Sequence, residues 1–80
     1  GREEPDPGAA REAARAAREL QEKRLENEQS KFEVGMSTNF FVVQAQRDLL
    51  DAQISELRAT LNYQKALVTF ERVQQTAGGV

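Results

Sequence analysis

Between Gly8 and the Gly78-Gly79 pair the 80-residue chain contains one glycine, Gly35, and no proline, so two long stretches carry nothing that breaks a helix. Residues 9–34 are almost entirely Ala, Arg, Glu, Leu, Gln and Lys, all strong helix formers, and read as a first helix. A second helix begins between Ser37 and Phe40, taken as residues 40–76, and the paired glycines that follow give it a stop and leave residues 77–80 as a tail. Both prolines and two of the five glycines fall in residues 1–8, which read as a mobile leader. The expected fold class is all-α, and residues 35–39 decide its shape.

Gly35 supplies the left-handed conformation that commonly closes a helix, with Phe32 and Met36 placed for an apolar contact across the cap. Ser37, Thr38 and Asn39 are three successive N-cap candidates, so a new helix can start at once. One glycine costs only about 1 kcal/mol relative to alanine, which leaves a single helix kinked at Gly35 as the alternative. The cap residues favour an antiparallel, coiled-coil-like hairpin with a tight tip.

The first helix carries a small-residue stripe of Ala10, Ala13, Ala14, Ala17 and Leu20, and Leu25 and Phe32 continue an apolar seam towards the tip. Glu19 with Lys23 and Arg24 with Glu28 stand one turn apart and are expected to pair on the surface. In the second helix the apolar positions fall into two stripes. Val43, Leu50, Ile54, Leu57, Leu61 and Val68 lie within roughly 60° on a helical wheel. Ala45, Leu49, Ala52, Ala59, Tyr63, Ala66 and Phe70 gather on a broader face roughly opposite. A nearly uncharged strip (Gln46, Gln53, Thr60, Gln64) and a charged one (Arg47, Asp51, Arg58, Lys65) separate them. Two apolar stripes suit a helix with neighbours on both sides, either a stave in an open tube of helices or a helix sandwiched in an ordinary bundle. Tyr63 and Phe70 could form a ligand platform, but the alanines around them favour packing against a neighbouring helix.

Composition narrows the functions. A formal net charge of -2 with interspersed signs offers no basic stripe for nucleic acid. The absence of His and Cys removes the commonest acid–base group, the commonest zinc ligands and any disulfide. Ser30, Ser37 and Ser55 therefore lack a histidine to activate them, and Asp48 and Asp51, a turn apart near a helix start, read as a charged surface. The glycine pair lacks the flanking pattern of a phosphate loop. The expectation is a non-enzyme without cofactor or metal, with no nucleic-acid partner and no membrane span. A chain of 39% hydrophobic residues and this length buries a thin core, so its stability is expected to depend on concentration.

The segment "KFEVGMSTNFFVVQAQRDLLDAQISELRATLNYQKALVTFERV", about half of the chain, resembles the helical repeat of the TolC-type outer-membrane efflux proteins. The shared features are an aromatic residue (Phe32), a Val34-Gly35-Met36 tip and a Ser37-Thr38 cap. An apolar pair (Val42-Val43), Ala45-Gln46, and then Ala59, Tyr63 and Ala66 follow on the returning helix. Relatives often carry an acidic residue in the first turn of that helix; this chain has Phe40 and Phe41, to which the resemblance gives no role.

The resemblance implies a trimeric duct with a β-barrel in the outer membrane and a tube of α-helices in the periplasm, through which drugs or secreted proteins leave the cell. Family members are several times longer, with membrane strands and a second repeat, so by this resemblance the chain would correspond to a periplasmic, soluble piece of such a duct without the membrane anchor. The tip, Val34, Gly35, Met36 and Ser37, would then meet a periplasmic adaptor protein. Val43, Leu50, Ile54, Leu57, Leu61, Val68, Tyr63 and Phe70 would pack against helices of the same parent or of another copy. A stand-alone coiled-coil interaction module, or the hairpin of an adaptor itself, is the other reading.

Overall fold

The computed structural model describes residues 6–78, and side-chain surroundings for residues 6–75. Two helices, α1 (Pro7–Glu33) and α2 (Asn39–Gly78), pack against each other. Arg24 lies near Asp48, Arg18 near Glu56 and Arg11 near Tyr63, so the partner number rises as the α1 number falls and the pair is an antiparallel hairpin. The kinked single helix is excluded.

α1 starts two residues earlier than residue composition suggests. Asp6 is its N-cap, in extended backbone (φ -54, ψ 131), and its Oδ2 accepts from the Ala9 amide at 3.3 Å while its carbonyl accepts from Ala10 at 2.9 Å. Pro7 then occupies the first helical position, where its missing N–H is no loss and its fixed φ suits the helix. Proline therefore opens this helix, and only residues 1–5 of the expected leader lie outside the described residues. At its other end α2 runs through Gly78, two residues past the expected boundary; the rest of the expected tail, residues 79–80, lies outside the described residues.

The inward face of α2 is its alanine-rich one. Val42 and Ala45 are the most buried side chains, at 9% and 3% exposure, and Leu49, Ala52, Ala59, Tyr63 and Ala66 continue the face half-buried. Small side chains let the helices approach closely, so this core is narrow. α1 meets it with Ala10, Ala14, Arg18, Gln21, Leu25 and Glu28, each half-buried. Ala13, Ala17 and Leu20, expected in the same stripe, are exposed, Leu20 by 58%. Arg18, Gln21 and Glu28 take half-buried places on that face instead, with their polar ends bonded to Glu22 and Glu56, to Arg24 and to Ser37 respectively.

The expected pairs of Glu19 with Lys23 and Arg24 with Glu28 do not form. Glu19 instead takes Arg15 Nη1 at 2.8 Å, Glu28 stands 3.8 Å from Lys31 Nζ, and Arg24 is 3.9 Å from Asp48 Oδ2. The strongest link between the helices is Arg18, whose Nε donates to both Glu56 oxygens at 3.1 and 3.2 Å while Nη1 donates to Glu22 at 2.6 Å. Bonds to these two carboxylates, Glu22 first, hold the guanidinium above its usual range.

Arg15 also bonds Glu12, and this hydrogen bond is the main cause that lowers the Glu12 carboxyl below its usual value. A carboxyl whose folded value lies below its unfolded one stabilises above the unfolded value and loses that contribution as pH falls through the folded one. Helicity monitored during acid titration should therefore fall less steeply below about pH 4 in Glu12→Gln than in the parent chain. Superimposable titrations would remove this contribution.

Because Tyr63 sits beside Gly8, α2 from about Leu67 onward extends past the described start of α1. At 1.5 Å per residue α1 spans about 40 Å and α2 about 60 Å, in keeping with an overall length of 69 Å.

Candidate interaction surfaces

Among the described residues the hairpin leaves apolar side chains open at its tip, on the far side of α2 and beyond the described start of α1. The tip is held by backbone geometry. Gly35 has φ +79, its amide donates to the Phe32 carbonyl at 3.0 Å, and the Met36 amide donates to the Lys31 carbonyl at 2.7 Å. Those two bonds are the paired closure of a Schellman motif, in which the left-handed residue turns the chain off the helix axis. The Thr38 carbonyl then accepts from Phe41 at 3.1 Å and Val42 at 3.2 Å, which starts α2. Ser37 donates its hydroxyl to Glu28 Oε2 at 2.5 Å and ties the turn back to α1.

The four tip residues singled out in the sequence thus divide. Val34, Gly35 and Met36 are exposed, Met36 by 76%, while Ser37 is half-buried and turned inward to Glu28. The expected contact of Phe32 with Met36 does not bury either side chain. Phe40 and Phe41 join this surface. Their rings meet edge to face, centroids 5.6 Å apart at 75°, and Phe40 is 68% exposed. Both belong to the first turn of α2 and stay exposed there, whereas Val42 beside them is buried.

The second surface is the outer stripe of α2. Val43, Leu50, Ile54, Leu57, Leu61 and Val68 are all 41–58% exposed, because α1 covers the opposite side. Among the eight residues expected to pack on helices, Tyr63 alone does so within this hairpin. Its ring lies beside Gly8 and under the Arg11 guanidinium, 5.2 Å from the centroid, an arrangement of packing and cation–π attraction. Phe70, beyond the described start of α1, is exposed with its neighbours Leu67 and Val73.

A shallow groove between the helices, lined by Arg18, Glu22, Leu25, Gln29 and Leu49, is bordered by the Arg18 ion pairs. Among the described residues no three of His, Cys, Asp or Glu come together as a metal site. No described helix is long and apolar enough to cross a membrane. Comparison with protein families, with curated proteins and with solved structures gives no match.

Proposed function

We propose that this hairpin is a non-catalytic structural and docking element: a stave of the periplasmic helical tube of a TolC-type efflux or secretion duct, with an adaptor-binding tip. The observation that carries this reading is the exposed apolar stripe on the side of α2 opposite α1. A helix finished by one partner has no use for a second row of Val, Leu and Ile, whereas a stave between two neighbours needs it. The tip adds a fixed turn that presents Val34 and Met36 to a partner. In the full-length parent, a trimer, lateral packing would build the tube and the tip would seat on the helical hairpin of the adaptor.

The test is a graft. Residues 31–73 replace the corresponding hairpin of a TolC-type channel, in cells lacking that channel, and drug export and trimer assembly are measured separately. Export should be restored by the graft and lost in Met36→Asp, with the trimer intact in both, because a carboxylate at an apolar contact is left buried and unpaired. An assembled graft that exports nothing, or a Met36→Asp graft that exports normally, overturns the docking role.

A further inference from the structure

We infer that α2 pairs, antiparallel, with α2 of a second copy of this chain through the stripe that α1 leaves open. The carrying observation is a symmetry in the spacing. The six stripe positions are mirror images of one another about a point between Ser55 and Glu56. In an antiparallel pair centred there, Val43 meets Val68 of the second copy, Leu50 meets Leu61, and Ile54 meets Leu57, each layer occurring twice. Every one of these side chains is exposed in the single hairpin.

Two polar residues complete the seam. Arg47 and Gln64 are exposed and fill the gaps in the stripe, so that the positions from Val43 to Val68 advance by alternating steps of four and three, the spacing of a coiled-coil seam. They are also mirror partners, so the Arg47 guanidinium would donate to the side-chain carbonyl of Gln64 in the second copy. Sliding one helix by a heptad would set Arg47 against Leu57 or Gln64 against Ile54. A parallel pair would set Arg47 against Arg47. The polar pair thus selects one direction and one register, as buried polar positions do in coiled coils.

One flank agrees. Asp51 and Arg58, both exposed, face each other across the two copies on one side of the seam, twice by symmetry. The seam lies roughly 145° around α2 from the face on α1, so both α1 helices stay outside the contact. Beyond Val43 and Val68 the match ends, since Phe40 would stand across from Glu71. The contact uses the same patch on both copies and closes at two. It goes beyond the duct reading and does not require it. Staves of one tube point their tips the same way, whereas this pair points them apart, so the stripe serves one arrangement at a time.

The chain has no cysteine, which allows a direct test on the full 80 residues. Val43→Cys and Val68→Cys chains are mixed, oxidised and mapped by mass spectrometry, while sedimentation gives the mass. Mixed disulfides should exceed same-site ones by about tenfold or more, and the unmodified chain should sediment at twice its 9.0 kDa. Leu57→Asp should raise the dissociation constant at least ~100-fold. In case that variant loses its hairpin, Asp51→Arg, exposed and away from α1, should weaken the dimer by about tenfold, and adding Arg58→Asp should restore it. A monomer at about 100 μM, a trimer, a majority of same-site disulfides, or no restoration by the double variant would overturn the proposal.

Discussion

Replacing Ala45 by leucine should lower the urea midpoint of the chain, by the equivalent of about 1–3 kcal/mol. Ala45 is the most buried side chain in the hairpin, at 3% exposure, and sits one turn beyond Val42 on the face that meets α1. Alanine there lets the two backbones approach close to the tip. Three added carbons have nowhere to go except between the helices, and the two can separate near the tip only by straining the Gly35 turn or loosening the Ser37–Glu28 hydrogen bond. Leucine is an excellent helix former, so any loss comes from packing and not from propensity. Ala13→Leu is the matched control, because Ala13 is exposed on α1 and its replacement should move stability by no more than about 0.5 kcal/mol. Both are measured at one chain concentration, since association with a second copy would add to apparent stability. Equal midpoints for the two variants would mean that the alanine face does not set the helix spacing.

The same alanine face explains what could be read from the sequence and what could not. The two stripes of α2 were legible because periodicity reports which residues share a face, and the structure assigns the alanine-rich one to α1 and leaves the other open. Periodicity failed on α1 because it takes charged residues as solvent-facing. Arg18, Gln21 and Glu28 lie on the inward side there, and Leu20 on the outer one. The Arg18–Glu56 link was invisible for a related reason: spacing along one helix finds neighbours a turn apart, whereas this pair exists only once the hairpin fixes which turn of α1 faces which turn of α2. The start of α1 was misplaced by treating Pro7 as a breaker, although Asp6 before it marks a capped beginning. At the tip, Gly35 announced its own conformation, while the inward turn of Ser37 depended on Glu28, nine residues away. The open stripe and the tip are therefore the parts of the candidate surface that sequence could supply, and their geometry came from tertiary contacts.

Gly35→Val should destabilise the hairpin by about 1–3 kcal/mol, and Gly35→Asn should recover most of that loss. Gly35 has φ +79, where a side chain that branches at Cβ crowds its own backbone. A Cβ built at this position meets nothing within 4 Å, so the penalty is conformational and owes nothing to a clash with neighbours. That separation makes the asparagine variant informative, since Asn is larger than a single methyl yet tolerates the left-handed region. If space were limiting, Val and Asn would fail alike; if backbone conformation is limiting, only Val fails. The strain has a second consequence, because the Gly35 and Met36 amides close α1 only while Gly35 stays left-handed. A valine that escapes to the extended region would break both bonds and turn Val34 and Met36 to new directions. In the grafted channel Gly35→Val should then abolish export with the trimer still assembled, and Gly35→Asn should retain it. Export by the valine variant equal to that of the parent graft would show that the shape of this turn is not what the partner reads.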